Sequence, residues 1–187
     1  MEVPMPTPSP KSPPDSPLAD WGLSWGGWLD NRRGEWWLLA QGLLIAAHLL
    51  PPWPTPGSWG YAWPLPLALA GALTFLLGLV LAARAFGGLG ASLTPLPDPK
   101  PGAALVTSGP YRRCRHPLYQ AILLCSLGVT VALGSLLHLA LLLALAAVLG
   151  GKARREERQL ALCHPDYPAY RAVTPAIVSS LPWLDWR

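Results

Sequence analysis

Charged side chains are missing from two long stretches of this chain. No Asp, Glu, Lys or Arg occurs from His48 to Ala83, or from Leu118 to Gly151. A soluble fold cannot easily bury such blocks, so the pattern predicts an all-α integral membrane protein. The clearest span is Pro64 to Ala83, with Arg84 directly after it. Trp36 to Leu50 is a further candidate, short for a span of about 20 residues unless Gly34 and Glu35 sit among the headgroups. Arg32 and Arg33 mark its start, and Pro51-Pro52-Trp53-Pro54 ends it, because consecutive prolines cannot continue a helix. The loop on to Trp63 carries Trp53, Trp59, Tyr61 and Trp63, an aromatic belt without a charge.

Length decides how the second stretch is read. As one straight helix, Leu118 to Gly151 would run about 51 Å, well beyond a hydrocarbon core of about 30 Å. Gly134-Ser135 lies near its middle. Basic residues flank both ends: Arg112, Arg113 and Arg115 before it, Lys152, Arg154 and Arg155 after it. The positive-inside rule puts both ends on one face, so the stretch is predicted to be a hairpin of two spans, 119–133 and 136–151. Arg32/Arg33 and Arg84 fall on that face too. About four transmembrane helices, with both termini and the site facing the cytoplasm, satisfy every basic cluster.

The connecting segments read as follows. Residues 1–17, mostly Pro, Ser and charged residues, are expected to be a disordered Pro-rich tail and not a signal peptide. The membrane domain then covers 18–187. Asp20 can cap a short helix whose Trp21, Trp25 and Trp28 make one aromatic face at the interface; a Trp-rich loop is the alternative. Phe86 to Gly102, rich in Gly and Pro, is a connection. Its Thr94–Lys100 piece is stiff and extended, and is expected to pack over the site. Lys152 to Cys163 continues the last span as a polar helix, and His164-Pro165-Asp166-Tyr167-Pro168 breaks it. A tail follows, whose Pro182-Trp183-Leu184-Asp185-Trp186 is expected to rest at the interface.

Composition narrows the function. Only 13% of the residues are charged, against about a quarter in soluble domains. The net charge of +4 sits in short clusters beside apolar runs. That is a topology signal and argues against nucleic-acid binding. Cys114, Cys125 and Cys163 have neither metal nor disulfide spacing, and the four His lack ligand spacing for a metal. His48 and His138 lie inside apolar spans without evident partners and read as packing or interface residues.

Candidate chemistry is confined to two clusters, Leu105–Tyr119 and Lys152–Glu157, which the hairpin brings together. Lys152 and Glu156 are four apart and share a helix face, while Glu157 points elsewhere, near Arg154 and Leu160. Carboxylates, an imidazole, guanidinium groups and phenols at the membrane's polar edge suit a charged, zwitterionic small molecule. The bland alternatives are topology anchors for Arg112 and Arg113 and a solvated helix face for Glu156-Glu157. No Ser sits in a nucleophile elbow.

The two clusters together resemble the isoprenylcysteine carboxyl methyltransferase and phospholipid methyltransferase superfamily of integral membrane methyltransferases. The residues that carry the resemblance are Leu105-Val106-Thr107-Ser108-Gly109, Tyr111, Arg115-His116-Pro117-Leu118-Tyr119, then Glu156-Glu157-Arg158-Gln159-Leu160, and finally Tyr167 and Tyr170. They span the motif-bearing half of the chain, 93–187. The resemblance implies S-adenosylmethionine as cofactor. Ala103, Ala104, Leu105 and Val106 would line it through backbone groups. Tyr111, His116, Pro117, Leu118 and Tyr119 would contact it, and Glu156 would hold its polar end. Lys152 would bind substrate; it stands where the methyltransferase of prenylated proteins has an arginine, and it loses the bidentate fork. Gln120-Ala121 replaces the family's usual x-Gly. The implied activity is methyl transfer to a lipid or prenyl-type acceptor at the bilayer interface, on a carboxyl oxygen or an amine nitrogen. The alternatives are an NADPH-dependent reductase of the sterol reductase type, or a non-catalytic membrane protein that retains the hairpin.

Overall fold

The computed structural model of the chain describes residues 29–31, 33–99 and 102–186. The expected tail at 1–17, the Trp21/Trp25/Trp28 helix, Arg32 and Lys100 lie outside them. Among the described residues the structure is all-helical, with five α-helices: α1 (Glu35–Ala47), α2 (Leu65–Leu89), α3 (Pro117–Leu133), α4 (Leu136–Cys163) and α5 (Tyr167–Val173). Short 3-10 turns lie at Pro56–Trp59, Gly90–Ser92 and Gly109–Arg112.

Two of these helices, α2 and α4, are long and apolar enough to cross a membrane. At 1.5 Å per residue they extend about 37 Å and 42 Å. The outer face of α2 leaves Leu65, Leu69, Leu73, Leu76, Leu77 and Val80 exposed, a surface suited to lipid and not to water. Shorter apolar helices, α1 and α3, complete the bundle.

The hairpin is where the length argument put it. α3 ends at Gly134, which adopts the left-handed conformation at φ 57°. A side chain there would also collide with the Trp63 indole, 2.6 Å from an added Cβ. Only glycine meets both demands. Ser135 then caps α4 by accepting from the His138 N–H. The Trp63 Nε1–H donates to the Val131 carbonyl at 2.9 Å, which locks the aromatic loop onto the turn.

Close packing of α2 on α3 depends on small residues. Gly71 lies against the Ala132 backbone, Gly128 against Phe75, and Gly78 against Cys125. An added Cβ on Gly128 would stand 2.5 Å from the Phe75 nitrogen. Backbones that approach so closely use small residues as their contact surface.

Four expectations need correction. The second helix does not stop at Ala83. It carries Arg84 and Phe86 on to Leu89, because Gly87 and Gly88 weaken a helix without ending it. α1 covers only Glu35–Ala47, with turns on to Leu50, so the Trp36–Leu50 candidate is 13 helical residues, about 20 Å long. The tail after His164 contains a further helix, α5, opened by Pro168 in its first turn. His48 and His138 do have partners. His48 Nε2 lies 2.5 Å from Ser126 Oγ and its Nδ1 2.8 Å from the Leu44 carbonyl. His138 Nδ1 lies 2.9 Å from Ser135 Oγ and its Nε2 3.3 Å from the His48 carbonyl. Apolar surroundings leave a polar ring no solvent, so its own helix and a neighbouring one supply its hydrogen bonds.

Gly128→Ala is therefore expected to lower the thermal midpoint in detergent, by a loss of about 1–3 kcal/mol from overpacking. Gly42→Ala, where nothing lies within 4 Å of the new methyl, is the control and should lose nothing. Equal midpoints for the two would contradict the close α2–α3 contact.

Candidate functional site

α4 continues unbroken past Gly151, so its last turns carry Lys152, Glu156 and Glu157 back beside the start of α3. Pro117 opens α3 and fixes its entry, leaving Arg115 and His116 just ahead of the first turn. Their backbone N–H groups donate to the carbonyls of Pro175 and Ala176. The C-terminal segment is thereby tied directly to the motif.

Glu157 is the centre of a buried network. The Arg115 Nε–H donates to its Oε1 at 2.8 Å, and the His116 Nε2–H does so at 3.0 Å. A carboxylate only accepts, so the proton on that ring nitrogen is assigned from its partner. The Trp186 indole N–H donates to Oε2 at 2.7 Å. The remaining guanidinium N–H groups of Arg115 reach the carbonyls of Arg171, Thr174 and Trp186. Burial alone would raise the Glu157 carboxyl, but the hydrogen bonds and charges of His116 and Arg115 outweigh it and bring it down to about 2.

This corrects the sequence reading of Glu157, which points into the Arg115–His116 cluster and not toward Arg154 and Leu160. It also corrects the role of the last residues. Leu184 is in the core, and Trp186 both holds Glu157 and lies under the Arg154 guanidinium at 4.3 Å. Arg112 and Arg113 remain exposed, as topology anchors would.

Glu156, one residue earlier, has a different environment. Its Oε2 accepts from the Tyr119 hydroxyl at 2.8 Å, and its side chain keeps 26% exposure. It lines two neighbouring cavities. The first, about 270 Å³, is bounded by α1, the Leu93–Pro95 segment, Tyr119, Ile122 and Lys152. The second, about 70 Å³, is bounded by Ala103, Ala104, Leu105 and Val106 with Tyr167 and Tyr170. Glu156, Tyr111, Arg115, Leu89 and Thr94 belong to both walls.

The sequence-derived candidates are thus mostly gathered. Ala103 to Val106 form extended backbone outside any helix, with N–H and C=O groups not engaged in secondary structure. His116, Leu118 and Tyr119 line the first cavity, and His116 stacks on Tyr119 with centroids 5.3 Å apart. Pro117 is buried behind the wall and lines neither cavity. Tyr111 is buried at the shared wall, where burial and then the Glu156 charge push its phenol well up. Lys152 is almost fully buried in the first cavity's wall. Its Nζ donates to Gln41 Oε1 and to the Pro95 carbonyl, both at 2.8 Å. The 94–99 segment packs over the site as expected, with Leu96 and Pro97 buried.

Sequence reasoning missed Gln41, Thr94, Arg171 and Trp186. Gln41 carried one available signal, an amide inside the apolar Trp36–Leu50 stretch. Of the others, Thr94 lies in the covering segment, and Arg171 and Trp186 meet Glu157 from 14 and 29 positions away.

His116 and Arg115 hold the Glu157 carboxyl below its ordinary value of 4.5. Its contribution to stability is present above that value and is lost as pH falls toward about 2. The thermal midpoint in detergent should fall across that window. Glu157→Gln should lower the midpoint at pH 7 and flatten the fall. Glu156→Gln should change neither by a comparable amount. An unaltered acid profile in the Glu157 variant would contradict the network.

A third cavity, about 430 Å³ and almost entirely apolar, lies between α1, α2 and α3 and shares Ile122 with the first. The arrangement joins a polar, carboxylate-bearing site to an apolar recess.

Comparison with known proteins finds partial matches. The cobalt-zinc-cadmium resistance protein CzcN of Cupriavidus metallidurans is 45% identical over 78 residues, 41% of this chain and 36% of its own length. The nickel-cobalt-cadmium resistance protein NccN of Alcaligenes xylosoxydans xylosoxydans is 40% identical over 82 residues, 41% of this chain and 37% of its own. The matched region spans just over a third of the length of these curated relatives. No solved structure matches the chain. The profile of the family described as phospholipid methyltransferase matches residues 67–163, just over half of the chain, from α2 to the end of α4. With its apolar α2 and α4 and the carboxylate site that they frame, this chain belongs to the phospholipid methyltransferase family, within the isoprenylcysteine and phospholipid methyltransferase superfamily.

Proposed function

We propose that the protein transfers a methyl group from S-adenosylmethionine to a lipid or a lipid-tailed small molecule at the membrane interface. The observation that carries this reading is the pair of cavities meeting at Glu156. A zwitterionic, cationic cofactor asks for a carboxylate, aromatic faces and free backbone groups. The second cavity offers Glu156, Tyr111, Tyr167 and Tyr170 around the 103–106 backbone. The donor-side residues therefore fit the group. S-adenosylmethionine would supply a methyl already activated on a sulfonium, so the protein's work is positioning and electrostatics.

The residues divide accordingly. Ala103 to Val106 and Glu156 hold the donor. His116, stacked on Tyr119 and tied to Glu157, keeps the shared wall rigid. Leu118, Tyr119 and Lys152 face the acceptor, and the apolar recess beyond Ile122 takes its tail. We place four spans around this site, with both termini and the cavities on the cytoplasmic side, because the basic clusters flank the helices there.

Purified protein should bind S-adenosylmethionine and not NADPH at equilibrium. NADPH binding alone would select the reductase reading, and binding of neither would select the non-catalytic one. Glu156→Ala should weaken S-adenosylmethionine binding by at least about tenfold, the scale of one charge-assisted hydrogen bond. Glu157→Ala should act mainly through stability. Reporter fusions after Leu50 and after Gly134 should lie outside the cytoplasm; a cytoplasmic signal at either would break the four-span topology.

A further inference from the structure

Lys152 is held in a way that a substrate-binding cation does not need. It is 2% exposed, at the first polar position after the uncharged run of α4. Its Nζ donates to two neutral acceptors, Gln41 Oε1 from α1 and the Pro95 carbonyl from the segment over the site. No ion pair of Lys152 with a carboxylate occurs within 4.0 Å among the described residues, whereas Arg115 has one at 2.8 Å. A neutral amine has two N–H bonds and one lone pair. With both N–H bonds given to Gln41 and Pro95, the lone pair is left for the remaining tetrahedral direction. Nζ also stands 5.3 Å from the Tyr119 ring centroid, and the residue lines the first cavity.

We propose that Lys152 is the general base of the methyl transfer, taking the proton of an acceptor that must lose one. This rests on the methyltransferase reading of the site. For an ammonium acceptor, Nζ takes one N–H proton and becomes the ammonium. The freed nitrogen lone pair forms the new bond to the methyl carbon. The methyl–sulfur bond breaks with its electron pair staying on sulfur, leaving a neutral thioether. The proton then passes from Lys152 to solvent. A carboxylate acceptor would have no proton to give, and the residue would serve only as a charge.

The surroundings make Lys152 easier to deprotonate than an ordinary lysine. Burial lowers the Lys152 pKa to about 8, with only the Glu156 charge opposing it. From α3 and its approach, Tyr119, His116 and Arg115 face the same cavity; from the 3-10 turn, Tyr111 does. α2 presents Phe86 and Leu89 there. Neither acid of the elements that hold Nζ is spent on it. Glu35 of α1 accepts from the Arg33 N–H, and Asp98 of the covering segment pairs with Arg155. The lowered pKa also eases the loss of positive charge in a cavity that must hold a sulfonium and an ammonium together.

Trace acetylation with mass-spectrometric readout, run across pH on the intact protein, tests the resting state. Lys152 should acquire its label with a midpoint near 8, against about 10.4 for lysine in a free reference peptide labelled alongside. Turnover of a lipid amine tests the role. Lys152→Arg keeps the charge and cannot give up its proton, so it should lose about 10²-fold or more in kcat and lose the acid limb of the pH–rate profile. Retained S-adenosylmethionine binding in the variant shows that it is folded. A midpoint matching the reference peptide, or an arginine variant with wild-type rate and acid limb, overturns the base. Failure of the wild type to bind S-adenosylmethionine overturns the donor reading first, and the base with it.

Discussion

The buried contact between Arg115 and Glu157 is the constraint on which the site depends. Two opposite charges leave water together there, and that is tolerable only if their remaining hydrogen-bonding capacity is met. The fold meets it with distant pieces of chain. The guanidinium reaches three carbonyls of the C-terminal segment, and the carboxylate takes His116 and the Trp186 indole. Motif, helix end and tail are therefore interdependent. The cavity walls at Tyr111, Tyr167 and Tyr170 follow from the same closure, since the Tyr170 hydroxyl donates to the Tyr111 carbonyl.

Two adjacent glutamates consequently do different work. One residue along an α-helix turns the side chain by about 100°. Glu157 turns into the network and loses its freedom. Glu156 turns toward the cavities and keeps a partly open carboxylate, steadied by one phenol. Lys152 lies one turn before Glu156 and extends the same face to α1. A region outside the family match thereby enters the first cavity through Gln41. The covering segment enters by a backbone carbonyl, which its run of prolines leaves without a helical partner.

Much of the framework was readable in advance. The hairpin boundaries near 133 and 136 followed from length, from Gly134-Ser135 and from the flanking basic residues, and they match α3 and α4. The polar extension of α4 to Cys163 did too. Errors arose where local signals were weak. Arg84 looked like the end of a span, yet a helix can carry a charge out of the hydrocarbon without stopping. α5 was hidden by prolines at 165 and 168, although Pro168 suits a helix start. Of the partners of His48 and His138, Leu44 and Ser135 are local, but Ser126 and the His48 carbonyl lie 78 and 90 positions away, and nothing near in sequence announces those bonds.

What the sequence by itself determined is the set of elements and which of them must be close. Uncharged runs of given length, glycine at a turn and basic residues at span ends are local constraints, and each acts within a few residues. The Leu105–Tyr119 and Lys152–Glu157 clusters were also recognisable as one site, because a hairpin can close only in one way. Only the tertiary structure decided which glutamate is buried, which is open, and that Lys152 gives its protons to Gln41 and Pro95. Those assignments depend on burial and on hydrogen-bond partners 29 to 111 positions away. Desolvation and hydrogen bonding across such separations come into being only when the chain has closed on itself.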